Sequence, residues 1–167
     1  ETLIGIVGPH NVLSSPSDLD RYSCDALTPY RAFGAVDLLD KTADVVVIPQ
    51  TAQHVMEIVR LASHNCVPVV PYGGGTGVMG AALPVNGGIV VDLKGLNRIL
   101  DINPENRSVM VESGVILEDL GRALEGYGMI VGHDPWSVPI ATVGGTISTN
   151  GVGYLAGAYG PMGEQVL

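Results

Sequence analysis

The sequence predicts an α+β chain of two subdomains: a small βαβ parallel sheet, then an antiparallel sheet with helices. Three observations carry this. An apolar strand, a helix and a second apolar strand follow one another between residues 45 and 70. A loop with five glycines between residues 73 and 80 comes directly after. Near Lys94 the pattern changes to alternating residues around a turn, so the boundary is placed there: residues 1–93 in the first subdomain, 94–167 in the second.

Residues 1–44 read least clearly. Leu3–Val7 suits either a helix end or a short strand, and Ser15-Pro16-Ser17-Asp18-Leu19 reads as a turn opening a short helix. Tyr22-Ser23-Cys24-Asp25 is read as structural filler, and Thr28-Pro29 as extended. Val45–Ile48 is β-branched and ends at Pro49, a buried strand. Thr51 caps a helix over residues 52–65 with Val55, Ile58, Val59 and Ala62 on its apolar face. His54 and His64 lie ten residues apart on it, too far to share a metal, and are read as solvated or capping. Val67–Val70 is the next strand and completes a βαβ unit with a right-handed crossover.

The loop Pro71-Tyr72-Gly73-Gly74-Gly75-Thr76-Gly77-Val78-Met79-Gly80 is the centre of the chain. Glycines leave backbone N–H groups bare, and clustered N–H groups hold phosphate. The spacing Gly75-x-Gly77-x-x-Gly80 matches the dinucleotide-binding pattern, but that motif needs a helix opening at the glycines. Pro84, Asn86, Gly87 and Gly88 leave no room for one before the strand Ile89–Leu93. No Gly-Lys-Ser/Thr follows, so the loop is not an NTPase P-loop either. A plain glycine-rich turn is the alternative.

Beyond Lys94, Arg98–Ile102 and Ser108–Glu112 flank the turn Asn103-Pro104-Glu105-Asn106 and form a hairpin. Leu117–Glu125 is a helix burying Leu117, Leu120 and Leu124, stopped by Gly126 or Gly128. Met129–Val131 reads as a brief strand. From His133 a second small-residue region begins: two prolines, then Ala141-Thr142-Val143-Gly144-Gly145, then Ser148-Thr149-Asn150-Gly151. Such a lining suits a flat heteroaromatic ring; the alternative is a loop-rich end. Trp136 reads equally as core. His133 beside Asp134 reads as an oriented base or, by preference, as a structural hydrogen bond.

A net charge of −9 and the lack of a basic cluster argue against a nucleic-acid surface. An anionic cofactor must then be held by backbone dipoles. No apolar run is long enough to span a membrane. Cys24 and Cys66 stand in no metal spacing and read as buried or inert thiols of a cytoplasmic protein.

These motifs, in this order, resemble the FAD-binding domain of the vanillyl-alcohol oxidase / p-cresol methylhydroxylase (PCMH) type. They resemble most its FAD-linked oxidase branch, with glycolate oxidase FAD subunit, D-lactate dehydrogenase and alkyldihydroxyacetonephosphate synthase. The residues that carry it are Pro-Tyr-Gly-Gly-Gly-Thr-Gly from Pro71, Ile-Val-Val-Asp-Leu from Ile89, Asn-Arg-Ile-Leu from Asn97, Gly-His-Asp-Pro from Gly132, Ala-Thr-Val-Gly-Gly-Thr-Ile-Ser-Thr-Asn-Gly from Ala141 and Tyr-Gly-Pro-Met-Gly-Glu-Gln-Val-Leu from Tyr159.

The resemblance implies a PCMH-type FAD-binding fold, truncated here at its C-terminus, with FAD between two subdomains. It implies that Pro71, Tyr72, Gly73, Gly74, Gly75, Thr76 and Gly77 bind the FAD pyrophosphate. Trp136, Ser137, Val138, Pro139, Ile140, Ala141 and Thr142, with Thr149, Asn150, Gly151 and Val152, would line the rest. The loop lacks the histidine of covalent members, so non-covalent FAD is expected. The implied activity is oxidation of a 2-hydroxy acid such as glycolate or D-lactate; a synthase-like transferase and a non-catalytic domain are the alternatives. Substrate would meet a cap domain that these residues do not include, together with the catalytic base and any metal ligands. Self-association is left open.

Overall fold

The computed structural model describes residues 1–27 and 42–167. The Thr28-Pro29 expectation lies outside them. The chain divides into two compact units, Glu1–Gly95 and Leu96–Leu167.

The first unit is a four-stranded sheet in the order β1-β2-β4-β3, formed by β1 (Val12–Leu13), β2 (Val45–Val47), β4 (Ile89–Asp92) and β3 (Val69–Tyr72). The last three are mutually parallel, and β1 is an antiparallel edge. Every residue of β4 is buried, as its position between two partners requires. The parallel pair around α3 (Ala52–His64) is present as read, but β2 and β3 do not touch as neighbours, because β4 sits between them. Thr51 Oγ1 caps α3 by accepting from His54 N at 3.2 Å. Ile58 and Ala62 are its buried residues, whereas Val59 is 47% exposed and leaves the expected apolar face.

Strand parity sorts the core into two layers. Val47, Ile89 and Val91 pack with Ile58, Ala62 and Val7 on one face. Val46 and Val90 pack with Tyr22, Ala43, Val70 and Tyr72 on the other. Val7 belongs to α1 (Thr2–Val7), which settles the first ambiguity as a helix, and α2 (Pro16–Arg21) is capped by Ser15 as expected.

Strand β3 runs two residues later than read. Val67 N still bonds the end of α3 through Ala62 O at 2.9 Å, and Cys66 takes a left-handed φ of 55° there. Pairing starts only at Val69 opposite Ile89. Pro71 is tolerated because β3 is an edge strand. Cys24 and Cys66 are both exposed, so of the buried or inert thiols expected the buried alternative does not hold.

The second unit contains the hairpin β5 (Ile99–Asn103) and β6 (Ser108–Val111). Its turn is closed by Asn103 Oδ1, which accepts from Asn106 N at 2.9 Å. Helix α4 (Leu117–Glu125) buries Leu117, Leu120 and Leu124, as its spacing requires. The left-handed residue that ends it is Gly128, at φ 63°, while Gly126 keeps helical angles. Met129–Val131 is not a strand. Met129 and Val131 turn toward the core and Ile130 is 65% exposed, a strand-like alternation that pairs with nothing among the described residues. Two further helices, α5 (Val143–Ser148) and α6 (Ala156–Tyr159), were not legible from pattern.

Candidate cofactor site

Pro71 and Tyr72 are the last residues of β3, not loop. The connection from Gly73 to Gly88 contains no helix, as read, and joins two adjacent parallel strands. It opens at the carboxyl end of the sheet, where open α/β sheets take ligands. Gly75 and Gly80 adopt φ of 65° and 77°, so both turns need glycine. Ala26 N donates to Gly77 O at 2.9 Å and Leu83 N to Gly80 O at 3.1 Å, which pins the loop's far half. Among the described residues, no N–H from Gly73 to Gly77 donates to any acceptor. Gly73, Gly74, Gly75 and Thr76 are half-buried. Half-buried backbone amides without an internal acceptor are able to cradle an anion.

Beneath this loop, Tyr22, which the sequence reads as filler, joins a buried polar cluster. Tyr22 Oη donates to Asp92 Oδ2 at 2.6 Å, and Asp92 is 2% exposed. Lys94 Nζ stands 3.4 Å from the same oxygen. Tyr72 Oη donates to Cys24 O at 3.3 Å, and its ring meets Tyr22 edge-on at 5.0 Å. Burial, and then the bond to Asp92, push the Tyr22 hydroxyl well above the usual tyrosine range; burial raises Tyr72 as well. Both stay protonated donors. The missed signal was Asp92 itself: a carboxylate closing an apolar buried strand must find partners.

In the second unit the sequence-selected residues divide between exposed and buried positions. Trp136 is 68% exposed and is not core. Ser137 is buried, and its carbonyl accepts from Ile140 N at 2.9 Å and Ala141 N at 2.8 Å. Val138 packs against the core, and Pro139 and Ile140 face solvent. The carbonyls of Val138 and Ala141 accept from Glu118 N and Leu117 N, so this segment covers the open N-terminus of α4.

Ala141 and Thr142 are buried, and Thr142 Oγ1 accepts from Gly145 N at 3.2 Å as the cap of α5. Thr149 Oγ1 donates to Gly145 O at 3.0 Å, and Asn150 Oδ1 accepts from Gly163 N at 2.9 Å. These polar groups serve the fold. Val152, at 70% exposure, faces outward. Replacing Thr142 by Val keeps shape and removes the cap. It is expected to lower stability by about 1 kcal/mol, read from urea unfolding, with Ser restoring it.

His133 is 2% exposed, and its Nδ1 has no partner among the described residues. Asp134 does not orient it: Asp134 Oδ1 accepts from Leu155 N at 2.6 Å instead. The oriented-base reading therefore lacks its bond, and the structural hydrogen bond of this pair is the one that Asp134 accepts from Leu155 N. A Cβ on Gly151 would lie 2.9 Å from His133 Nε2, so the chain at Gly151 rests directly on the ring.

Burial holds the imidazole below the ordinary histidine range, opposed by Asp134. The native state thus binds fewer protons than the unfolded chain through this group. Its contribution is complete above the unfolded value of about 6.5 and is lost as pH falls below it. Thermal midpoints measured from about pH 8 down to about pH 5 should fall less steeply for His133→Gln than for wild type.

A parallel sheet whose glycine loop carries bare amides beyond the strand ends, with no helix behind them, departs from the dinucleotide fold. A family model described as FAD binding domain matches residues 43–167, and the chain belongs to that family, whose cofactor is FAD. The chain is 35% identical over 167 residues to glycolate oxidase subunit GlcD of Bacillus subtilis (strain 168), covering all of this chain and 34% of that protein. It is 38% identical over 117 residues to D-lactate dehydrogenase of Anaerostipes hadrus, covering 70% of this chain and 24% of that protein. A solved alkyldihydroxyacetonephosphate synthase superposes with a TM-score of 0.88 at 22% identity, covering 99% of this chain and 31% of that one. The fold is the PCMH-type FAD-binding fold. The chain spans about a third or less of the length of these relatives. Among the described residues, no helix is long and apolar enough to cross a membrane.

Proposed function

We propose that this chain is the FAD-binding portion of an enzyme that oxidises a 2-hydroxy acid of the glycolate or D-lactate kind. The observation that supports the cofactor placement is the run of N–H groups from Gly73 to Gly77 that find no acceptor among the described residues. Residues 71–80 hold the pyrophosphate, with the amides supplying positive dipole ends that a chain of net charge −9 does not supply as side chains. The exposed residues of the stretches Trp136 to Thr142 and Thr149 to Val152 contribute to the lining of the rest of the cofactor. There the exposed apolar surface of Trp136, Ile140 and Val152 suits the faces of a ring. Bound FAD supplies a two-electron acceptor; the residues of this chain bind and orient it. The substrate class is supported by the glycolate and D-lactate relatives. FAD is held without a covalent bond, since the loop carries no histidine.

The test is a visible spectrum of the purified protein before and after acid precipitation. A flavin band that moves entirely to the supernatant is expected. A band that stays with the pellet overturns non-covalent binding, and a protein that remains colourless after FAD addition and desalting overturns the loop reading. Bleaching of the band by glycolate or D-lactate, against unrelated alcohols, tests the substrate class.

A further inference from the structure

Strand β4 ends in Asp92, which parity places on the layer that holds Tyr22 and Tyr72. Its paired residue across the sheet is Tyr72, the last residue before the glycine loop. A carboxylate buried there would repel an anion bound next door, and burial of an unpaired charge is costly. The structure neutralises it in place. Tyr22 Oη donates to one oxygen at 2.6 Å, Lys94 N to the other at 3.0 Å, and Lys94 Nζ lies 3.4 Å away. The ammonium also stands 5.5 Å from the ring centroids of both Tyr22 and Tyr72, so one cation ties the carboxylate to both rings. The guanidinium of Arg21 lies 5.6 Å from the Tyr22 centroid and holds that ring further.

The far end of this assembly is inside the loop. The Tyr72 hydroxyl occupies the space that a Cβ on Gly75 would need, and it donates to Cys24 O. Where the Tyr72 ring lies therefore decides how tightly the chain can turn at Gly75, and that turn aims the neighbouring N–H groups. We propose that Tyr22, Asp92 and Lys94 are positioning residues for the glycine loop: they hold Tyr72 in place so that the backbone amides from Gly73 to Gly77 are set for a pyrophosphate. This rests on the reading that the loop holds the FAD pyrophosphate. Asp92 and Lys94 cancel, so that pair itself adds no net charge.

Two variants test it. Tyr22→Phe keeps the ring and deletes the donor to Asp92. Lys94→Met keeps the length and removes the cation from a side chain that is 32% exposed, where folding is tolerant. The flavin is removed from the purified protein, and binding of FAD and of ADP, which carries the diphosphate without the flavin, is measured by calorimetry. Both variants are expected to bind each ligand about tenfold more weakly, by the same factor for the two ligands, with Lys94→Arg restoring most of the loss. A role in general stability predicts no such matched loss while the protein remains folded. Wild-type binding of both ligands with unchanged variants overturns the inference alone, as does a loss for FAD without one for ADP. A wild-type protein that binds neither ligand overturns the loop reading, and the inference with it.

Discussion

Gly75→Ala should weaken FAD binding by about a hundredfold while leaving the sheet folded. Gly75 sits at φ 65°, a conformation that costs an L side chain about 1–2 kcal/mol. The added Cβ would also meet the Tyr72 hydroxyl and lie 2.9 Å from its Cζ. Tyr72 cannot easily yield, since its ring packs against Tyr22 and its hydroxyl is bonded to Cys24 O. Overpacking of this kind adds about 1–3 kcal/mol, so the turn opens and the amides beside it are re-aimed. Gly77→Ala is the contrast for loop conformation. Its Cβ would stand at an ordinary 3.7 Å from Asp25 Oδ2, and its φ is not positive, so its thermal midpoint should match wild type. Titration of flavin-free protein with FAD reads the first effect; wild-type affinity in Gly75→Ala would show that the turn does not present the amides.

Gly88→Ala should be the most damaging single-methyl change in the first unit, lowering stability by about 3 kcal/mol or more. Gly88 adopts φ 87°, and its Cβ would collide with the Pro68 carbonyl oxygen and stand 2.9 Å from Pro68 C. That obstacle is backbone, and the same carbonyl accepts from Ile89 N at 2.9 Å at the start of the β3–β4 pairing. Gly88 is fixed from the other side as well. Its N–H donates to Asp44 Oδ2 at 2.6 Å and its carbonyl accepts from Asp44 N at 3.0 Å. The methyl must therefore push β3 away from β4 or break both bonds to Asp44. Denaturant midpoints measure the loss; a change below about 1 kcal/mol would mean that the strand entry relaxes freely.

The elements that a hydrophobic period can encode were legible: β2, α3, the β5–β6 hairpin and α4. The two-residue β1 was not, because Val12 and Leu13 become a strand only by pairing with Val47 and Val46. The placement of β4 between β2 and β3 is likewise a property of pairing, not of any local window. Helix α5 opens on Val143-Gly144-Gly145, where propensity argues against a helix. It forms because neighbours impose it: Val143 N and Gly144 N donate to Val115 O and Ser113 O, and Thr142 caps the end. A Cβ on Gly144 would lie 2.7 Å from Ser113 Cβ, so the glycine that weakens the helix is what lets it dock. In the candidate site, composition alone singled out the glycine loop. It could not show that Tyr22, Asp92 and Lys94 converge beneath it, since 70 residues separate Tyr22 from the carboxylate it bonds.

The helix-free connection from Gly73 to Gly88 has a thermodynamic consequence. It is the crossover between two adjacent parallel strands, so the sheet and the anion cradle share one stretch of chain. A ligand held there would favour the loop conformation that joins the two strands, and that conformation favours β3 lying beside β4. Ligand free energy is then folding free energy for this sheet, growing as the logarithm of ligand concentration over Kd. Amide hydrogen exchange in β4, from Ile89 to Asp92, would then report occupancy at a loop those amides do not belong to: it is expected to slow as pyrophosphate is added.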